Sequence, residues 1–230
     1  MERIDPQTVA RYLENDVVAA LRTASSSSLR SVTSQRWLDD SAAKRLIFHR
    51  LYGDVLQGPS GRTLLDVGGG LTMLTPRLAD HARYTLLDPL FHETEDALAT
   101  ARRVSPPFVA MLQDWGEASL TDAFDLVVAN DIFPNVDQRL ALFLEWAIPR
   151  AREVRLSLTF YNTPRFYRSK RIDADEHLIV LAFDGARTLA ALAPFADRIE
   201  GWRPELFEGD EGSCFPNGRQ VVLARIKGQA

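Results

Sequence analysis

The chain has very little cysteine: of 230 residues only Cys214 carries a thiol, so an internal disulfide and any multi-cysteine zinc or iron–sulfur site are excluded. It also lacks an apolar run approaching the ~20 residues a membrane-crossing helix needs, so no membrane association is expected. It has no basic excess. Lys and Arg total 27 against 31 Asp and Glu, a formal charge of -4, whereas general nucleic-acid binders carry surplus cations to neutralise phosphates. The opening MERIDPQTVARYLEN mixes both signs of charge and has no continuous apolar core, so it does not read as a secretory signal, and a cytoplasmic location is expected. No internal repeat is visible. What is present, 46% hydrophobic and 25% charged residues, is the mixture of a folded globular domain.

The length suits one α/β unit with an appendage. Val9, Tyr12, Leu13, Val17, Ala20 and Leu21 recur at helical spacing after Asp5-Pro6, an N-cap followed by proline, and predict a helix over 6–22. TASSSSLRSVTS follows, a serine-rich loop that is either a linker or a lid over a ligand. A second helix is expected over 35–56, with Trp37, Leu46, Phe48, Tyr52 and Leu56 on its buried stripe, ended by Gly58, Pro59 and Gly61. Residues 1–60 are thus expected to form a helical cap, and residues 61–230 the main domain.

Beyond Gly61 short apolar runs at 63–67, 84–87, 108–112, 125–129, 154–160 and 220–226 alternate with helical stretches at 73–82, 94–102 and 137–150. Strands buried on both faces read this way. The alternation predicts a Rossmann-like, doubly wound, mostly parallel sheet of seven strands with helices on both faces. Residues 177–183 could be a strand or an approach to a helix over 185–196.

In such a sheet ligands bind at the carboxyl ends of the strands, where the first strand-to-helix turn lies. Here that turn is LLDVGGGLT. Gly68, Gly69 and Gly70 let a ligand touch bare backbone. A nicotinamide dinucleotide could use such a turn, but three details argue against it. Counting from Gly68, the sixth position of the dinucleotide fingerprint is Met73 rather than glycine. Asp66 would repel a pyrophosphate and attract a ligand carrying ammonium and sulfonium charges. Asp88, ending YTLLDPL 20 residues after Gly68, stands where an acid accepts hydrogen bonds from ribose hydroxyls.

LLDVGGGLT, YTLLD, MLQDW and FDLVVANDIFPNV, in that order, resemble the motif series of the class I S-adenosylmethionine-dependent methyltransferases, over roughly residues 62–161. The resemblance implies an enzyme that takes a methyl group from S-adenosylmethionine and leaves S-adenosylhomocysteine. It places Asp66, Gly68, Gly69 and Gly70 around the methionine moiety and Asp88 with Pro89 at the ribose. Asp114 would meet the adenine amine, with Trp115 beside the ring, and Asn130 would face the cofactor from the other side. The chain departs from the family pattern at Thr72, where a third glycine is usual. Its hydroxyl could serve the cofactor carboxylate instead.

The acceptor expected is a small molecule, a sugar, natural product or other anionic metabolite, with oxygen the expected receiving atom and nitrogen the alternative on the same fold. Candidates for the chemistry follow from the strand ends: Asp131 after the fourth strand and Tyr161 after the fifth, with His177 selected from the four histidines because it follows the presumed substrate segment. That segment, RFYRSKR at 165–171, is either a solvated loop neutralised by Asp173, Asp175 and Glu176 or an anion-recognition patch built on Arg165, Arg168 and Arg171. No metal is expected, since Tyr161-Asn162 is a poor substitute for the acid–amide pair of metal-assisted relatives. A homodimer through the edge strand or the N-terminal helices is compatible with the pattern. Two other classes stay open, a nicotinamide-dependent oxidoreductase and a non-catalytic cofactor-binding protein.

Overall fold

A computed structural model describes residues 1–25, 27–170, 177–209 and 212–230. The chain begins with a two-residue strand, β1 (Glu2–Arg3), followed by four helices: α1 (Pro6–Leu13), α2 (Val17–Ala24), α3 (Thr33–Asp40) and α4 (Ala42–Leu56). The two long helices expected here are therefore each divided. Asp16 accepts from the Ala19 N–H at 2.9 Å and Ser41 from the Lys44 N–H at 3.3 Å, so a short polar side chain caps each new helix after the previous one stops.

Strand and helix then alternate through β2 (Thr63–Val67), α5 (Thr75–His81), β3 (Arg83–Leu87), α6 (Glu95–Val104), β4 (Val109–Met111), β5 (Phe124–Ala129), α7 (Leu140–Ala147) and β6 (Ala151–Phe160). The chain continues through β7 (Arg165–Lys170), β8 (His177–Ala182), α8 (Gly185–Leu192) and β9 (Gln220–Lys227). Seven strands form one sheet in the order β4-β3-β2-β5-β6-β9-β1. β2 to β6 are parallel, and β9 runs antiparallel to both β6 and β1. The seventh strand is β1 at the edge. Residues 165–170, read as a possible loop, instead pair with 177–182 as a separate two-stranded hairpin.

Helices cover both faces. Leu64, Leu126 and Val128 point to one side, under α4 and α5; Leu65, Val67 and Val127 point to the other, under α7 and α8. α4 is fastened to the sheet by Arg155 of β6, 3% exposed, which donates to both Asp54 oxygens (2.7 and 2.8 Å) and to the Leu51 carbonyl (2.7 Å). Residues 1–60 therefore share the sheet's core, and of them α3 reaches over the carboxyl ends. Among the described residues no helix is long and apolar enough to cross a membrane.

Candidate functional site

The strand order reverses between β2 and β5, and a cavity of about 710 Å³ opens at that point, at the carboxyl edge. Val67 pairs with both Leu87 and Ala129, so Gly68, Asp88 and Asn130 emerge side by side. Gly68 and Gly70 have φ of +63° and +65°, backbone that side chains rarely adopt. The turn is held by the Gly68 N–H donating to the Leu87 carbonyl (2.8 Å) and the Gly70 N–H to Asp88 Oδ2 (3.0 Å). Gly68 and Gly69 line the cavity with bare backbone; Gly70 lies beneath Ser34, whose Oγ would stand 2.1 Å from an added Cβ.

Asp66 does not line the cavity. Strand alternation turns it to the α4 face, where Tyr52 and Tyr84 donate to its two oxygens at 2.7 and 2.8 Å. It sits against the underside of Gly69, and an added Cβ there would meet Oδ2 at 2.2 Å. Burial raises the carboxyl to about 7, against the two tyrosine hydrogen bonds and with the nearby Asp88 charge adding to the rise. The structure thus corrects the expectation that Asp66 meets the ligand directly: it supports the turn from below.

Asp88 does face the cavity, with Oδ1 accepting from the Leu90 N–H at 2.7 Å. Beyond it, with Pro89 on the same wall, lie Asp114 and Trp115. Asp114 caps a short 3-10 turn, accepting from the Gly116 N–H at 2.8 Å, and Arg139 donates to both its oxygens at 3.1 and 2.8 Å, keeping the carboxyl below its ordinary value. The Arg139 guanidinium also binds Asp137 and lies 4.6 Å from the Trp115 ring centre. Trp115 is 7% exposed, packs among Phe133, Phe143 and Trp146, and donates its indole N–H to Asp137. It is a core aromatic with one side at the cavity. The sequence reading missed Arg139, which no local pattern sets apart from other surface arginines.

α3 forms the roof. Its first N–H groups, on Thr33 and Ser34, donate to the two Glu93 oxygens at 3.1 Å each, so an acid from the loop after β3 caps it. Gln35 accepts from the Met73 N–H at 2.8 Å on the glycine-turn side, and Ser34 Oγ lies 3.0 Å from His92 Nε2. Thr72 lines the cavity, and its hydroxyl accepts from the Leu74 N–H at 3.1 Å.

On the other side of the crevice, Asn130 accepts from the Ser157 hydroxyl at 2.8 Å, and that hydroxyl accepts from the Asp131 N–H at 2.7 Å. Asp131, at φ +60°, receives Arg219 Nη1 on both oxygens at 2.8 and 3.0 Å. It lines the cavity as half of an ion pair, not as a free base. Lys44 and Tyr167 line the same region, and burial raises the Tyr167 hydroxyl to about 12. Tyr161 is outside the cavity lining, 3% exposed, with its hydroxyl 3.2 Å from that of Tyr167. The remaining expectations are corrected. His177 is exposed on the hairpin opposite Lys170, away from the cavity. Arg165 stacks on Tyr161 at 3.6 Å and donates to the Asn217 carbonyl, Arg168 is exposed, and neither lines the cavity; Arg171 lies outside the described residues.

No family model matches the sequence, and no curated protein matches it. Solved structures match in fold. A DhpI–SAH complex aligns with a TM-score of 0.53 at 17% identity, covering 96% of this chain and 99% of that one. A 1,6-didemethyltoxoflavin-N1-methyltransferase from Burkholderia thailandensis, bound to 1,6-didemethyltoxoflavin and S-adenosylhomocysteine, aligns at 0.52 and 18% identity, covering 96% and 90%. An S-adenosylmethionine-dependent methyltransferase from Clostridium acetobutylicum gives 0.52 and 11%, covering 79% and 90%. With its strand order, its antiparallel β9 and its glycine turn at the point of reversal, the chain has the fold of the class I S-adenosylmethionine-dependent methyltransferases.

Proposed function

We propose that the protein is an S-adenosylmethionine-dependent methyltransferase acting on an oxygen of a small-molecule acceptor. The observation that carries this reading is the juxtaposition of bare Gly68–Gly69 backbone and Asp88 in one cavity that continues to a polar end at Asp131 and Arg219. The residues fit the cofactor. No Cβ separates the turn from the cavity, and about 710 Å³ falls within the roughly 300–1,000 Å³ of small-molecule sites. Asp88 uses one lone pair of each oxygen on backbone N–H groups and retains others for ribose hydroxyls. Arg139 keeps Asp114 ionised and so able to accept from an exocyclic amine, while Trp115, Leu87 and Pro89 supply apolar wall.

The bound cofactor supplies an electrophilic methyl group on sulfur. Displacement at that carbon is in line, so the chain's main task is to hold the acceptor opposite the sulfur, with water excluded by the α3 roof. Each carboxylate of the described cavity wall, and its one imidazole, already has a hydrogen-bond partner. Asp114 and Asp137 are held by Arg139, Asp131 by Arg219, Asp88 by two N–H groups, and His92 bonds with Ser34.

Calorimetry with S-adenosylhomocysteine and with NAD tests the cofactor: uptake of the first and not the second is expected, and the reverse would make the protein an oxidoreductase. Labelled S-adenosylmethionine incubated with a pool of small metabolites should yield methylated product, unchanged in excess chelator. Binding with no transfer to any acceptor would leave a non-catalytic binder, and a product whose transferred carbon-13-labelled methyl is found on nitrogen by NMR would shift the receiving atom to nitrogen.

A further inference from the structure

We infer that the acceptor carries a single negative charge on an apolar body, and that Lys44 holds its carboxylate with Arg219 alongside. The inference rests on the methyltransferase reading and names the substrate class of that same cavity. Lys44 lies in the first turn of α4 and lines the cavity, with its ammonium 5.2 Å from the centre of the Trp37 ring. Among the described residues it has no carboxylate within ion-pair distance, unlike the two arginines that line the cavity, Arg139 and Arg219. The opposed charges of Asp131 and Arg219 both act on it, and Asp40 adds a weaker attraction.

Charge counting then sets the ligand. Lys44 and Arg219 contribute two positive charges and Asp131 removes one, so this end of the cavity has an excess of one. A buried charge is costly without a counter-charge. Burial lowers the Lys44 ammonium below its ordinary value, and the attraction of Asp131 and Asp40 does not make up for it. A carboxylate supplies one negative charge; a phosphate monoester, at close to two, would overcompensate. Trp37, Ile47, Phe48 and Val221 line the cavity with Lys44, a surface suited to the apolar part of the acceptor. The hairpin arginines are the weaker candidates for this role, since Arg165 is committed to Tyr161 and Asn217 and Arg168 faces solvent.

The test uses full-length protein, with and without saturating S-adenosylhomocysteine, titrated with benzoate, benzamide and phenyl phosphate. The ε-CH₂ signal of Lys44 is followed by NMR in lysine-labelled protein and assigned by its loss in Lys44→Met. Benzoate is expected to move that signal saturably, benzamide to leave it in place, and phenyl phosphate to bind more weakly than benzoate. Lys44→Met should lower benzoate affinity by about tenfold or more, the scale of a charge-assisted hydrogen bond. Lys44→Arg, which retains the charge, should restore most of it and so separate recognition from misfolding. An unmoved signal, an equal response to benzamide or unaltered affinity in Lys44→Met overturns the site, and tighter binding of phenyl phosphate overturns the monoanion. Benzoate bound at Lys44 in a protein that takes up no S-adenosylhomocysteine would instead refute the methyltransferase reading and leave the anion site standing.

Discussion

Burial holds the Asp66 carboxyl at about 7, against an ordinary value of 3.8, even though two tyrosine hydroxyls donate to it. Between those two values the folded chain keeps a proton that the unfolded chain has released. The stability contributed by this group is therefore complete below 3.8 and is lost as pH rises to about 7, at roughly 1 kcal/mol per pH unit. Urea unfolding across that window should show the decline, and Asp66→Asn should flatten it. A cationic ligand bound above the turn would favour the ionised carboxylate, so calorimetric affinity for S-adenosylmethionine, with its sulfonium, should weaken more than that for S-adenosylhomocysteine as pH falls below about 7. Gly70→Ala adds a Cβ 2.1 Å from Ser34 Oγ at a φ of +65°. A loss of about 1–2 kcal/mol in urea melts is expected, together with weaker cofactor uptake. The glycines and Asp88 were legible because they follow their strands directly in sequence. Asp66 was misplaced because strand alternation turns it to the α4 face, and the hydroxyls that hold it there, on Tyr52 and Tyr84, come from other elements. Lys44 and Arg219 were missed for the same reason: neither stands near any motif, and only folding brings them together.

At the scale of elements, α3 depends on a residue outside itself. Val32, its N-cap, makes no side-chain cap hydrogen bond, and Glu93 takes both exposed N–H groups. Glu93→Ala should cost about 1 kcal/mol in thermal or urea unfolding. It should also speed S-adenosylhomocysteine release in stopped-flow displacement, since the roof would be tied to the β3 side by the Thr33 and Ser34 contacts with His92 but no longer by Glu93. The sequence showed amphipathic periodicity across 6–22 and 35–56 but not the interruptions, because Asp16 and Ser41 act as caps only where packing sets neighbouring helices at an angle. The five parallel strands were legible from their apolar runs. β1 was not, being two residues long and defined by its pairing with β9. Arg165–Lys170 was not either, since its aromatic residues, Phe166 and Tyr167, are adjacent rather than alternating and are flanked by charge.

For the molecule as a whole, the strongest ionic attachment of the N-terminal helices to the sheet is Arg155 with Asp54. Removing one partner with Asp54→Ala leaves a buried guanidinium short of acceptors. It should cost about 2–3 kcal/mol in denaturant unfolding, less than a fully buried pair because Asp54 is itself 40% exposed. Arg155→Met, which removes the charge and fills the space, should cost less than Asp54→Ala. Fold class was readable from the alternation of apolar runs and helical stretches, whereas the filling of the edge position by the amino terminus was not.

The reversed direction of β9 has a consequence for how the protein could diversify. Running against its neighbours, it begins at the rim where they finish, so residues 212–219 arrive at the far end of the crevice without passing through the half that would receive the nucleoside. Replacing that stretch with one of different charge should redirect which molecule is modified while the donor is gripped as before, so donor and recipient preferences can be varied independently.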